Sequence, residues 1–386
     1  MINEKVKMKN NFNELIKNND KKNISYLNIY LQNNPNKVNI NNNNKEKLLI
    51  NNKLNLQKQM SLKNNNNKTK NQSTIINNNI NNNKLFINQE IFRTVSDSIK
   101  PCYYILALKE NKLASCSFDC SIKIYDTLNK FKLLMKIKAH KNHVIYITQL
   151  HDLRLISCSR DYTLKVIKLL SLTTYKIEQT LKFHKNEVLK VIQISDKSVM
   201  SCSVDSQILI YGINEGKDNL LYLQTNLVLH KNKVESIYEA KKSKKFLSAS
   251  IKDCCVYICK SPTFEFLTKF YDIIICDRPD VIYEIKKNLI GIGGVGIYII
   301  DCEKLQIVNF LQSNLTELFY KLQDGSFLTI EEYYNIRQYK YDNKNNTIKL
   351  LNEKINAHKK CIYGIQQLNS GMIVSCDFGG AIKLWK

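Results

Sequence analysis

The sequence predicts an all-β fold built from repeated four-stranded antiparallel sheets, and three observations predict it. The first is a repeat. Residues 139–167, AHKNHVIYITQLHDLRLISCSRDYTLKVI, run from a His through an alternating apolar stretch, a polar turn, a second apolar stretch, Ser-Cys-Ser, an Asp and a third stretch. The same skeleton returns at 184–211, more loosely at 230–259, and again at 358–385. The second is its spacing: His140 to Asp161 and His184 to Asp205 are both 21 residues, and 21 residues after His358 stands Gly379. The third is the period of each stretch, as in Leu164-Lys165-Val166 or Ile122-Lys123-Ile124, where apolar and polar residues alternate as a half-buried strand requires.

The elements follow in order from the repeat. From each His the chain runs down one strand, turns at a polar pair such as His151-Asp152, and climbs back, so that the Asp lands at the sheet edge where the His began. A third strand follows. The stretches before the next His (131–137, 175–181, 220–229) add a fourth. One such unit cannot bury both faces, so neighbouring units must stack.

These residues resemble the WD-repeat β-propellers. Members of that family carry in each blade a Gly-His pair, a Ser or Thr, an Asp and a closing Trp-Asp, joined in a structural hydrogen-bond chain. The His is matched here by His140, His184, His230 and His358, and the Ser by Ser115, Ser157, Ser201 and Ser375. Asp119, Asp161 and Asp205 match the Asp, and Trp385 the Trp. Tyr125, Ile167 and Tyr211 replace the Trp elsewhere, and the Gly before the His is replaced by Ala139, Phe183, Leu229 and Ala357. The resemblance covers residues 85–386 and implies a propeller of four-stranded antiparallel blades.

Seven blades are expected. The first has Ser98 at the His position, a strand at 102–106, SCSFD at 115–119 and IKIY at 122–125; the second and third are the clean copies. The fourth keeps His230 with Asp253 in approximate register. From Asp253 to Gly379 is three intervals of 42, which calls for two further blades: a fifth (281–285, 289–292, 297–300) and a sixth (318–322, 327–330, 336–339). The seventh ends at Trp385-Lys386 after its third strand. Residues from about 84 to 95 are expected to supply its fourth, closing the ring by pairing the chain's two ends and removing exposed sheet edges.

Residues 1–84 are a different material, with 30 Asn and 15 Lys against 4 acidic residues. Such a low-complexity segment cannot offset its ordering entropy by burial and reads as a disordered Asn/Lys-rich tail. Its short apolar patches at 24–31 and 48–50 are candidates for transient helices or docking peptides. No stretch approaches the ~20 apolar residues of a membrane helix. The N-terminus lacks the apolar segment of a secretory signal, so the 12 cysteines are expected as reduced thiols in an intracellular protein, cytoplasmic or nuclear.

No catalytic, metal or cofactor site is expected. Four of the six His are repeat residues, which leaves His143 and His151, both in turns. Cys116, Cys158, Cys202 and Cys376 share one repeat position and are thereby spread over separate sheets. Cys254-Cys255, adjacent in a strand, lacks the Cys-x-x-Cys spacing that zinc prefers. Gly291-Ile-Gly293-Gly294-Val-Gly296 matches the dinucleotide fingerprint, but a strand follows where that motif needs a helix, so these glycines read as the turn between strands two and three of blade five.

The net charge of +24 divides into +11 from 1–84 and +13 from the remainder. Only Arg93, Arg154, Arg160, Arg278 and Arg337 among the 58 basic residues are arginine, the residue that base and bidentate phosphate recognition favour. The expected function is therefore a non-enzymatic scaffold or adaptor in a multiprotein complex, without a small-molecule substrate. Nucleic acid is allowed as a partner but not required. The alternative is an RNA-associated assembly or processing factor using the basic tail and propeller surface. Within the family the contact surface is usually the face carrying the His-side loops and the turns before the Asp. That places Phe118, Arg160, Val204 and Phe378 on it, with Tyr103, Ile145 and Tyr363 nearby at the channel mouth. Aromatic residues and Arg are what interface hot spots are made of.

Overall fold

Runs of β-branched and aromatic residues separated by polar turns fold, among the described residues, into 26 strands in a computed structural model. It describes residues 90–91 and 100–385, except 196, 215, 217, 218, 272, 274, 276, 343 and 346. The expected tail over 1–84 and the first-blade position Ser98 lie outside the described residues.

Strand β1 (Glu90–Ile91) precedes a first blade of β2 (Cys102–Leu108), β3 (Lys112–Ser117), β4 (Ile122–Asp126) and β5 (Lys132–Ile137). The second blade is β6 (Val144–Gln149), β7 (Leu155–Ser159), β8 (Leu164–Leu169) and β9 (Tyr175–Leu181). The third is β10 (Val188–Ser195), β11 (Ser198–Ser203), β12 (Ile208–Ile213) and β13 (Leu221–Leu227). The fourth is β14 (Ser236–Ala240), β15 (Lys245–Ser250), β16 (Cys255–Lys260) and β17 (Phe266–Tyr271). Next come β18 (Ile282–Lys286), β19 (Leu289–Asp301), β20 (Gln306–Lys321), β21 (Phe327–Glu331), β22 (Asn335–Asp342) and β23 (Thr347–Lys354), all in one sheet. The last blade is β24 (Ile362–Gln367), β25 (Ile373–Asp377) and β26 (Ile382–Trp385).

Every pairing is antiparallel and follows chain order within its sheet, with β1 as the exception. It pairs with β26 through Glu90↔Trp385 and Ile91↔Leu384, giving the last blade a fourth strand from the segment that precedes the first blade. First strands of neighbouring sheets lie side by side around an axis, from β24 through β2, β6, β10 and β14 to β18. Second strands are buried throughout, as in β7, while outer strands such as β13 face solvent along most of their length. The core therefore lies between sheets: Ile147, Leu155 and Val166 of the second blade are sealed in one cluster with Ile124 of the first and Val191 of the third. Each such side chain contributes about 1.5–3 kcal/mol.

The count of seven four-stranded blades is overturned. The structure has five, and the region expected to hold blades five and six is a single six-stranded sheet. The turn expected at Gly291–Gly296 is not made, because β19 runs as one 13-residue strand through it. The 16-residue β20 likewise continues past the expected break, pairing Leu315 with Val295 of β19 and Thr316 with Glu331 of β21. The glycines serve close approach instead. A Cβ on Gly293 would stand 2.8 Å from the Thr316 carbonyl oxygen, and Gly296, at φ +99°, sits against the Phe310 ring at a shift of register.

Candidate interaction face

Each repeat His ties its loop to the turn between strands two and three. His140 Nδ1 lies 3.0 Å from Asp161 Oδ2 and its Nε2 lies 2.8 Å from Ser157 Oγ. Asp161 also accepts the N–H of Lys141 at 2.9 Å and the Thr163 hydroxyl at 2.7 Å. Burial raises the Asp161 carboxyl, but the bonds from His140 and Thr163 outweigh it and hold the group below the usual carboxylate range. The third blade repeats the arrangement, with His184 at 2.9 Å from Asp205 and 2.7 Å from Ser201, whose hydroxyl also meets Tyr211 Oη at 3.3 Å. In the fourth, His230 lies 2.9 Å from Ser248 and 3.3 Å from Asp253. Tyr257, 27 residues after His230 as Tyr211 is after His184, stands edge-on to that imidazole.

The last blade corrects the register. Asp377, not the position of Gly379, meets His358 Nδ1 at 2.9 Å, and Asp377 Oδ1 accepts the N–H groups of Gly379 and Ala381. Trp385 Nε1 donates to Ser375 Oγ at 2.7 Å, so the Ser375 hydroxyl is free to donate to His358 Nε2 at 2.6 Å. In the first blade Ser115 is buried in β3, and Asp119 is held by Ser121 and Lys136; burial opposes their pull, yet the carboxyl falls to about 2.

With these loops fixed, the residue directly after strand two of each blade is pinned beside the entry to strand one. The N–H of Phe118 donates to Pro101, that of Arg160 to His143, that of Val204 to Glu187 and that of Phe378 to Cys361, all at 2.8–3.0 Å. Neighbouring blades then bring side chains together. Tyr103 lies 6.4 Å from Phe118, 5.5 Å from Tyr363 and 6.4 Å from Phe378, and Tyr363 stacks on Phe378 at 5.5 Å. His143 covers Phe118 at 3.6 Å. Arg160 sits 5.8 Å over Tyr103 and Arg278 sits 3.6 Å over Tyr363. Phe118 and Phe378 remain 36% and 42% exposed, large values for phenylalanine. Val204 holds the equivalent place in the third blade outside this cluster, and Ile145 packs into the core between blades.

Beneath the aromatic cluster the axis is clasped by Pro279 and Asp280. Lys190 Nζ lies 2.6 Å from both the Pro279 carbonyl oxygen and Asp280 Oδ1. Ser236 Oγ donates to the same carbonyl, and Tyr146 Oη donates to Asp280 Oδ1 at 3.1 Å. Tyr104 donates to Tyr146, Gln366 donates to Tyr104, and the Phe319 N–H donates to the Asp280 carbonyl. One network thus joins the first strands of all five blades to the six-stranded sheet. Tyr104, Tyr146, Lys190 and Ser236 each stand six residues after a repeat His or its Ser98 equivalent.

Other reactive groups fall into structural roles. The described cysteines are free thiols, and burial pushes Cys202, Cys255 and Cys302 upward, Cys255 to about 11. Cys254 occupies a turn at φ 49° and only Cys255 is in the strand, which corrects the reading of both as strand residues. His230, Asp253 and Cys255 place ligand-type atoms within 4.8 Å of one another. Cys255 there holds the place of Thr163, Lys269 Nζ is fixed nearby on Tyr257, and burial lowers the His230 imidazole to about 4. The trio is the fourth blade's version of the His–Asp network, and the neighbouring Lys269 ammonium would repel a cation there. Among the described residues no helix is long and apolar enough to cross a membrane.

Stacked antiparallel sheets around an axis, closed by pairing β1 with β26, define a β-propeller. Among solved structures the chain is similar to the WD40 β-propeller domain of Doa1, with a TM-score of 0.60 and 14% identity over 77% of this chain and 96% of that one. At that identity the likeness carries the fold. No protein-family model and no curated protein matches the sequence.

Proposed function

We propose that this chain is a non-catalytic scaffold or adaptor of the WD-repeat kind, which binds other proteins through the face bearing Phe118, Tyr103, Tyr363, Phe378 and Arg160. In this reading it works inside the cell as a member of a multiprotein complex. The aromatic cluster carries the proposal. Two half-exposed phenylalanines, two tyrosines and two arginines converge from separate blades onto one patch, the composition of a binding hot spot. The propeller fold, which rigidly holds loops from several sheets at one rim, supports the same reading. Val204, on the same rim, is the peripheral member of the surface.

Affinity purification with the full chain and its Phe118→Ala/Phe378→Ala variant, with and without nuclease, tests this. Loss of a nuclease-resistant set of proteins from a variant with a parental melting temperature is the expected result. An unchanged set refutes the assignment of the face, and a set lost on nuclease treatment makes nucleic acid the ligand.

A further inference from the structure

The rim around the aromatic cluster carries a second repeat that the fold does not use. The residue after each described repeat His is a lysine: Lys141, Lys185, Lys231 and Lys359. In three blades its backbone N–H is needed, bonded to Asp161, Asp205 or Asp253 at 2.8–2.9 Å. That requirement is met by any residue except proline. All four side chains are exposed, and none has an ion-pair partner among the described residues. Lys100 and Lys360 stand exposed beside them, the latter packed on Gly379 at the turn after Phe378. Against these six ammonium groups and the two arginines of the cluster stand Glu187, paired with Arg160, Asp277 and Glu235, both paired with Lys233, the buried Glu317, Glu332, and the repeat Asp carboxylates already held by His and backbone N–H groups. Among the exposed side chains of the mouth, positive charge is in excess.

The cluster inside this ring favours anions as well. An aromatic ring is negative on its face and positive at its edge. Here each ring has a face already covered: Arg160 over Tyr103, Arg278 over Tyr363, His143 over Phe118 and Phe378 on Tyr363. The cations and the exposed parts of Phe118 and Phe378 remain. A nucleic-acid base needs an open ring face on which to stack, and this arrangement offers little of that. A carboxylate needs an edge or a cation, and Arg160 already holds one in Glu187.

We infer that the partner presents an acidic, carboxylate-rich protein segment that lies across the mouth, its apolar residues on Phe118 and Phe378 and its charges on the lysine ring. This rests on the scaffold reading above and names the chemistry of the partner. The test uses fluorescence anisotropy of the full chain with a Glu-rich peptide carrying one Phe, its Gln-for-Glu twin, and oligouridine of matched charge as competitor. The variant is Lys141→Ser/Lys185→Ser/Lys231→Ser/Lys359→Ser, which touches no bond within the fold. Four exposed ion pairs at about twofold each multiply to about a 15-fold loss. The expected result is that the Glu peptide binds, the Gln twin does not, and the variant loses about 15-fold with a flatter salt dependence. Equal binding of the twin, parental binding by the variant, displacement by oligouridine, or no binding of the Glu peptide overturns the inference. If these fail while Phe118→Ala/Phe378→Ala still releases captured proteins, the scaffold reading stands and only the acidic class falls.

Discussion

Replacing Lys190 by Met removes the centre of the axial clasp while keeping the length of an apolar stem. The parent lysine side chain is 3% exposed and lies 2.6 Å from both the Pro279 carbonyl oxygen and Asp280 Oδ1. Without it the Asp280 carboxylate, 17% exposed, keeps the Tyr146 hydroxyl at 3.1 Å as its side-chain donor. Breaking a buried pair from one side costs about 3–5 kcal/mol, and the partial access of water to Asp280 puts this case at the low end, about 3 kcal/mol. A domain of about 290 residues unfolds with an entropy near 0.6 kcal/mol/K, so the melting temperature should fall by about 5 °C. Adding Asp280→Asn removes the orphaned charge and should return about 2 kcal/mol of that loss. Differential scanning calorimetry of the parent, both single variants and the double variant measures the cycle. A Lys190→Met protein melting within about 1 °C of the parent, or strictly additive single effects, refutes the clasp.

Two further perturbations probe the blades. His184→Ala strands Asp205 and Ser201, and Asp161→Ala strands His140, at about 1–3 kcal/mol for each buried group left unpaired; chemical denaturation should show both variants less stable with an unchanged slope, and parental midpoints contradict the network. Burial raises the carboxyl of Glu235 to about 7 against the opposing pull of Lys233, so the folded state holds its proton longer than the unfolded chain. Stability from this group is therefore present below about pH 4.5 and is lost as pH rises to 7, by up to about 3 kcal/mol. Glu235→Gln keeps an acceptor for the Ile251 N–H and should raise the melting temperature at pH 8 while changing little at pH 4; a variant equally stabilised at both contradicts the assignment.

Most of the architecture was legible because the repeat is carried by residues with a fixed job. A His and an Asp 21 residues apart, separated by two alternating apolar stretches and a polar turn, meet at one sheet edge if the stretches are antiparallel strands, so spacing and period together gave the hairpin. The same logic misled where the job is done differently. Asp377 reaches His358 from two residues earlier than the rule, with Gly379 supplying an N–H rather than a carboxylate. Over 281–354 no repeat His or Asp punctuates the chain, and counting intervals put in a break where β19 and β20 pair continuously. A glycine-rich run signals either a turn or a close approach, and only the partner strand decides between them.

The face was legible in part. Phe118 and Arg160 follow from their position before the Asp, Phe378 from the matching position before Gly379, and Tyr103 and Tyr363 from their place five residues after the repeat His or its equivalent. His143, Arg278 and the clasp were not, since Asp280 and Arg278 come from a segment without repeat register and reach the axis through tertiary contacts. A signal for Lys190 did exist: it falls at the repeat position of Tyr104 and Tyr146, where a charged residue needs a buried partner from outside the repeat.

Lysine-reactive cross-linking and mass spectrometry of the natively purified complex would test the central claim most directly. Cross-links to partner proteins concentrated on Lys141, Lys185, Lys231, Lys359 and Lys360 are predicted. Cross-links concentrated instead on outer-strand lysines such as Lys176 and Lys349, with the rim lysines unmodified by partners, would contradict it.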